Sequence, residues 1–145
     1  MRFTEYLKYV NTNSSRRITE SSLDTVQPKN KDELVRILQN YFDREEPDWK
    51  CDLNWIDTSK ITDMSNLFSH ALESSGGYGL GRFNGDISQW DTSNVKDMNN
   101  MFFASDFKGD ISNWNVSKVT NMQEMFENSK FNGDISRWNV SSVKN

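Results

Sequence analysis

The sequence predicts an α/β repeat solenoid, with a short parallel strand and a short helix in each coil and a helical cap at the N-terminal end. The first observation is a repeat. FNGDISQWDTSNVKDMNNM at 83–101 returns as FKGDISNWNVSKVTNMQEM at 107–125, and FNGDISRWNVSSVKN follows at 131–145. Phe83, Phe107 and Phe131 recur every 24 residues (107 − 83 and 131 − 107), and Trp90, Trp114 and Trp138 keep that period. A fixed period in this range marks units that bury their apolar faces only on one another. The second observation lies inside the unit. Asp-Ile-Ser-x-Trp reads as a short strand, and Met98, Met101 and Phe102 fall at helical spacing behind Val95.

The elements follow in order. Phe3, Tyr6, Leu7 and Val10 predict a short amphipathic helix over 3–10, and 17–20 reads as a short strand. Asn30 is a candidate N-cap. Behind it, Leu34, Ile37, Leu38, Tyr41 and Phe42 form the apolar stripe of a helix from about 31 to 44. Asp32 and Glu33 suit its positive N-terminal end. Residues 1–50 are thus expected as a helical cap, and 51–145 as the repeat array, because an open array end exposes apolar side chains.

Coils are expected to start near 52, 86, 110 and 134. In the first, Ile56 holds the tryptophan place and Cys51 the place of Gly85. The step from Ile56 to Trp90 is 34 residues (90 − 56), so ten extra residues enter as an insertion at 69–82. Gly85, Gly109 and Gly133 read as turn glycines in a backbone conformation that other residues resist. Asp97 and Asn121 are placed to cap the brief helix of each coil. The inward set per coil is Ile, Trp, Val, Met, Met, Phe and the next Phe, and the strands are expected to form a narrow parallel sheet. The third full-pattern coil has its strand and lacks its helix, an edge that invites self-association.

Charge narrows the function. Residues 1–50 hold nine basic and nine acidic side chains, and 51–145 hold eight and twelve, so the array carries the net −4 of the chain. Nucleic-acid backbones call for clustered Lys and Arg, so no direct nucleic-acid partner is expected. No apolar run approaches membrane-span length. The N-terminal segment, interrupted by Glu5 and Lys8, does not read as a signal peptide, so the chain as written is expected in the cytoplasm, or at a surface if a leader was removed.

FNGDISQWDTSNVKDMNNMF resembles the BspA-like bacterial surface-protein repeat, a leucine-rich-repeat-like module also found in Mycoplasma-type lipoproteins, with a pattern like FNGDIS-x-W-DVSNVT-x-M-x-x-MF. The resemblance covers 51–145, and PKNKDELVRIL resembles the helix that often leads into such arrays. It implies a curved solenoid used for protein or surface binding, without catalysis.

Few constellations suggest chemistry. The phased methionines Met98, Met122, Met101 and Met125 read as core. Asp86, Asp110 and Asp134 recur once per coil, but one carboxylate per coil is few for calcium, so they read as turn residues. His70 and Cys51 are the only residues of their kinds, too little for a zinc site or a Cys-His nucleophile. A cleft lined by Asp63, Glu73 and His70 is the remaining enzymatic option. No catalytic residue, cofactor or metal is expected. Gly76-Gly77-Tyr78-Gly79-Leu80-Gly81 lacks the Lys-Ser/Thr of a phosphate loop and reads as a mobile insertion. Excursions from a regular array are where contacts specialise, so the partner-binding candidates are Tyr78, Leu80, Arg82, His70 and Glu73. The leading function is a non-enzymatic protein-interaction module. The alternatives are a small intracellular inhibitor, for example phage-encoded and aimed at a host defence nuclease, and a fragment of a surface adhesin.

Overall fold

The computed structural model describes residues 25–43, 45–72 and 75–145. The expected helix at 3–10, the expected strand at 17–20 and Glu73 lie outside the described residues.

Helix α1 spans Lys31–Phe42. Its start is fixed by polar side chains. Asn30 Oδ1 accepts from Glu33 N at 3.0 Å, and Glu33 Oε2 accepts from Lys29 N at 2.8 Å. The amide of Glu33 is otherwise an orphan of the first helical turn, and Glu33 in return ties down the residue before the cap. The stripe read from the sequence is buried, with Val35 added to Leu34, Ile37, Leu38, Tyr41 and Phe42. The helix lies over the first repeat unit. Tyr41 packs on Trp55 at 5.6 Å between ring centroids, Phe42 stacks on Trp49 at 4.5 Å, and Phe42 meets Phe83 edge-on at 6.2 Å.

The rest of the expected architecture is overturned. The chain does not build an α/β solenoid. Among the described residues α1 is the sole helix, there is no sheet, and pairing between units is limited to isolated parallel bridges. These are Val26 with Ile56, Asp52 with Asp86, Asp63 with Asp97, and Asp97 with Asn121. Each unit is a run of turns, and the hydrogen bonds show why. The amides of Met98, Asn100, Phe102 and Ala104 donate to the carbonyls of Asn121, Gln123, Met125 and Glu127 in the next unit, at 2.8–2.9 Å. The amides between them stay local. Met101, Phe103 and Ser105 donate back three residues to Met98, Asn100 and Phe102. An α-helix needs every amide for its own i−4 carbonyl, so this alternation excludes it. Asn100 and Ala104 also sit at φ 53°, in the left-handed region where helices break. Met98, Met101 and Phe102 share the inner side of a turn, and the spacing that suggests a helix arises without one.

The expected strands fail for a related reason. Asp86 Oδ1 accepts from Ser88 N at 2.9 Å, and Asp110 and Asp134 do the same for Ser112 and Ser136. That amide is lost to any ladder, and the chain bends two residues into the segment. Asp97 and Asn121 likewise hold the amides of Asn99 and Gln123 and cap no helix. The glycine expectation also changes. The glycines at positive φ are Gly76 and Gly79, both in the excursion. Gly85 is needed for close approach instead, since a Cβ there would lie 2.0 Å from Cys51 O.

The core is an ordered stack of rings. Phe68, Phe102 and Phe126 form one column, 5.7 Å between successive centroids. Phe83, Phe107 and Phe131 form a second, at 5.9 and 6.2 Å. Within a unit the two columns touch at 4.5–4.6 Å. Each tryptophan binds the unit before it, since Trp90, Trp114 and Trp138 donate Nε1 to the carbonyls of Leu53, Ile87 and Ile111 at 3.0–3.2 Å. The inward set of the 86–107 unit is fully realised, with Ile87, Trp90, Val95, Met98, Met101, Phe102 and Phe107 all buried. Burial falls off toward the last unit, where Ile135 and Val140 are exposed.

Two stability predictions follow from this packing. Trp114→Ala removes a buried indole from between Trp90's unit and Trp138, and is expected to cost about 3–5 kcal/mol in a denaturant titration; a change under about 1 kcal/mol would contradict the column assignment. Glu124 holds φ 53°, the place filled by Asn66 and Asn100 in the preceding units. Asn tolerates that conformation better than Glu, so Glu124→Asn is expected to stabilise by on the order of 0.5–1 kcal/mol in the same titration.

Candidate functional site

The excursion leaves the stack at His70 and returns at Gly81. Its two ends are anchored to the next unit, since His70 N donates to Phe103 O and Asp106 N donates to Gly81 O, both at 2.9 Å. The ends also touch each other. A Cβ on Gly81 would lie 2.7 Å from His70 Cα, and one on Gly77 would lie 1.9 Å from Ala71 O. Only glycine permits these approaches. The GGYGLG run is therefore a means of folding a loop back on itself, with Leu72 O accepting from the amides of Ser75 and Gly77.

Helix α1 holds the outer limb. Gln39 Nε2 donates to Tyr78 O at 3.2 Å, and Lys31 Nζ sits 5.5 Å from the Tyr78 ring centroid. Lys31 also donates to Ser65 Oγ at 2.6 Å and pairs with Asp63 Oδ1 at 3.3 Å. One ammonium thus joins the helix, the first unit and the excursion. Partial burial acts to raise the Asp63 pKa, but the bonds from Ser65 and the charge of Lys31 outweigh it and hold the carboxyl below its usual value.

Two adjoining grooves result. The first, about 430 Å³, runs along the end of α1 and is lined by Asp43, Pro47, Trp49, Tyr78 and Leu80 among others. The second, about 420 Å³, is lined by Ser69, His70, Leu72 and Arg82. Trp49 and Gly79 line both. Leu72 is 74% exposed, an aliphatic side chain left at the rim.

The residues proposed from sequence therefore divide. Tyr78 is half-buried and lines the first groove, while His70 and Arg82 are exposed on the second. Leu80 is only 2% exposed and forms groove floor as part of the core. Glu73 lies outside the described residues. Asp63 lines neither groove and is committed to Lys31. Sequence reasoning missed Trp49, Leu72 and the end of α1. Trp49 lies outside the repeat period, and a large aromatic beside the charged loop 43–48 was the signal available.

Electrostatically the grooves differ. The loop Asp43-Arg44-Glu45-Glu46-Pro47-Asp48 carries four acidic side chains and one basic, and the last turn of α1 has no basic residue to offset its negative end. Beside the second groove, Asp106 bonds Lys130 at 2.7 Å, and that bond, with the nearby charges of Lys130, His70 and Arg82, holds its carboxyl low.

The remaining titratable groups serve the turns. Bonds from Ser88, Ser112 and Ser136 hold Asp86, Asp110 and Asp134 below the usual carboxylate range. Asn115 and Asn139 make the same turn with Ser117 and Ser141, so the geometry does not depend on charge. Among the described residues no group of three or more His, Cys, Asp or Glu is placed to hold a metal ion, and no helix is long and apolar enough to cross a membrane. At the last unit, the amides of Glu124, Phe126 and Asn128 have no backbone acceptor among the described residues.

Burial pushes the Cys51 thiol up to about 11, against a weaker lowering by Tyr41. Its folded value exceeds the ordinary 9.0, so its contribution to stability is complete below pH 9 and is lost as pH rises through about 11. At pH 8 native Cys51 should react with a disulfide reagent about a hundred-fold more slowly than in urea, in line with the smaller thiolate fraction. Equal rates would show the thiol to be exposed.

A family model described as Mycoplasma protein of unknown function, DUF285, matches residues 36–145. No curated protein and no solved structure matches the chain.

Proposed function

The chain belongs to the DUF285 family of Mycoplasma proteins of unknown function, and from that premise we propose a non-enzymatic protein-interaction module of the BspA-like surface kind. The single observation that carries this is the paired groove at the excursion, lined by exposed Leu72 and Arg82 and half-buried Trp49 and Tyr78. Tyr, Trp and Arg are the side chains that most often anchor protein interfaces. Gln39 and the Lys31 ammonium over the Tyr78 ring hold the loop to α1, the bonds of His70 N and Gly81 O hold it to the stack, and the Gly77 and Gly81 approaches close it on itself. Specialised contacts on a fixed scaffold are how loops commonly carry binding. The repeated residues support a scaffold role, since nearly all of them are core or turn. The family assignment favours display at a cell surface, as in an adhesin, over the intracellular inhibitor.

The test is affinity capture from surface-protein extracts with the full chain as bait, beside Leu72→Asp/Arg82→Glu, two exposed changes that leave the core intact. A discrete protein captured by the wild type and at least about ten-fold depleted by the double variant is expected, a loss of some 1.4 kcal/mol. Unchanged capture would remove the excursion from the interface, and turnover of a substrate without protein capture would overturn the reading.

A further inference from the structure

The two grooves are one binding path with opposite ends. They adjoin at Trp49 and Gly79, which line both. Gly79 has φ +75°, and a Cβ placed there would meet nothing within 4 Å. The junction is open because this residue has no side chain. Trp49 is half-buried and stacked on Phe42, which fixes the ring and spares a ligand the entropy of ordering it.

Charge gives the path a direction. At one end Asp43 lines the groove, within a loop of four acidic and one basic side chain, and it follows a helix end without a basic residue in its last turn. At the other end Arg82 and His70 line the groove. Asp106 feels both, and it is paired with Lys130. Arg82, Lys130 and Asp106 together leave one positive charge among the described side chains counted at that end. Between the ends lie the indole and the 74% exposed Leu72.

Resting on the interaction reading above, we propose that this path docks one extended segment of a partner protein. The segment carries Lys or Arg beside Asp43, Asp or Glu beside Arg82, and an apolar side chain over Trp49 between them. Exposed ion pairs contribute little affinity but discriminate strongly between orientations. The apolar centre therefore supplies the binding, and the charged ends set the direction of the chain.

Selection of a random dodecapeptide library on the full chain tests this. Enriched peptides are expected to place a basic and an acidic residue on either side of an apolar one. Gly79→Asn, which tolerates the positive φ, is expected to weaken them at least ten-fold while leaving the thermal melt in place. Asp43→Lys/Arg82→Glu is expected to favour the same peptides with their charges exchanged. The proposal is overturned if no peptide is enriched, if enriched peptides lack the paired charges, or if Gly79→Asn binds them equally. It is also overturned if sedimentation shows a dimer that Gly79→Asn dissolves, since the occupant is then a second copy. Protein capture that depends on Leu72 and Arg82, together with a failed peptide selection, would leave the interaction reading standing and remove this ligand class alone.

Discussion

The structure depends on an alternation of backbone hydrogen bonds. In the turn from Met98 to Ser105, every second amide reaches the next unit and every other one closes a local turn. Buried backbone amides need partners, and here the demand is divided between two directions at once. Neither a helix nor a sheet can form under that division. The same alternation fixes the distance between units, which is why the phenyl columns repeat at 5.7–6.2 Å. The rings exclude water from these bonds, and the bonds hold the rings in register.

This division of labour decides where function can sit. In the stacked units, the most regular side chains are consumed by the scaffold. The tryptophans bind the carbonyls of the preceding unit, the aspartates close turns, and the methionines fill the centre. What remains free lies where the period is broken. The excursion satisfies its own backbone through Leu72 O and the Gln39 side chain, and its glycines let it fold back on itself. It adds relief to an otherwise repetitive surface without disturbing the columns on which stability depends.

Helix α1 has two roles that depend on one another. Its buried stripe covers the first unit through Tyr41 and Phe42. Its end and its polar edge form one wall of the first groove and grip the excursion. Lys31 is the link, and its position one residue after the Asn30 cap places it at the helix start, near the Asp63 turn. A change in helix packing would therefore be felt at the groove, through contacts that are separate in sequence by more than thirty residues.

The sequence by itself determined the period, the inward set of the 86–107 unit, the disguised first unit at 52–68, and α1 with its cap. These depend on residue type and spacing, and apolar side chains at fixed intervals must meet in a stack whatever the backbone does between them. It did not determine the backbone. Ile-x-x-Trp and Met-x-x-Met-Phe suit strand and helix as local patterns, and the choice of turns instead was made by neighbouring units competing for the same amides. The site was legible in part. Tyr78, His70 and Arg82 stood out because they interrupt the repeat, while Leu80 proved to be core and Trp49 belonged to no pattern. Only the tertiary structure brought the end of α1, Trp49 and the excursion together, because their contacts join segments that no periodicity relates.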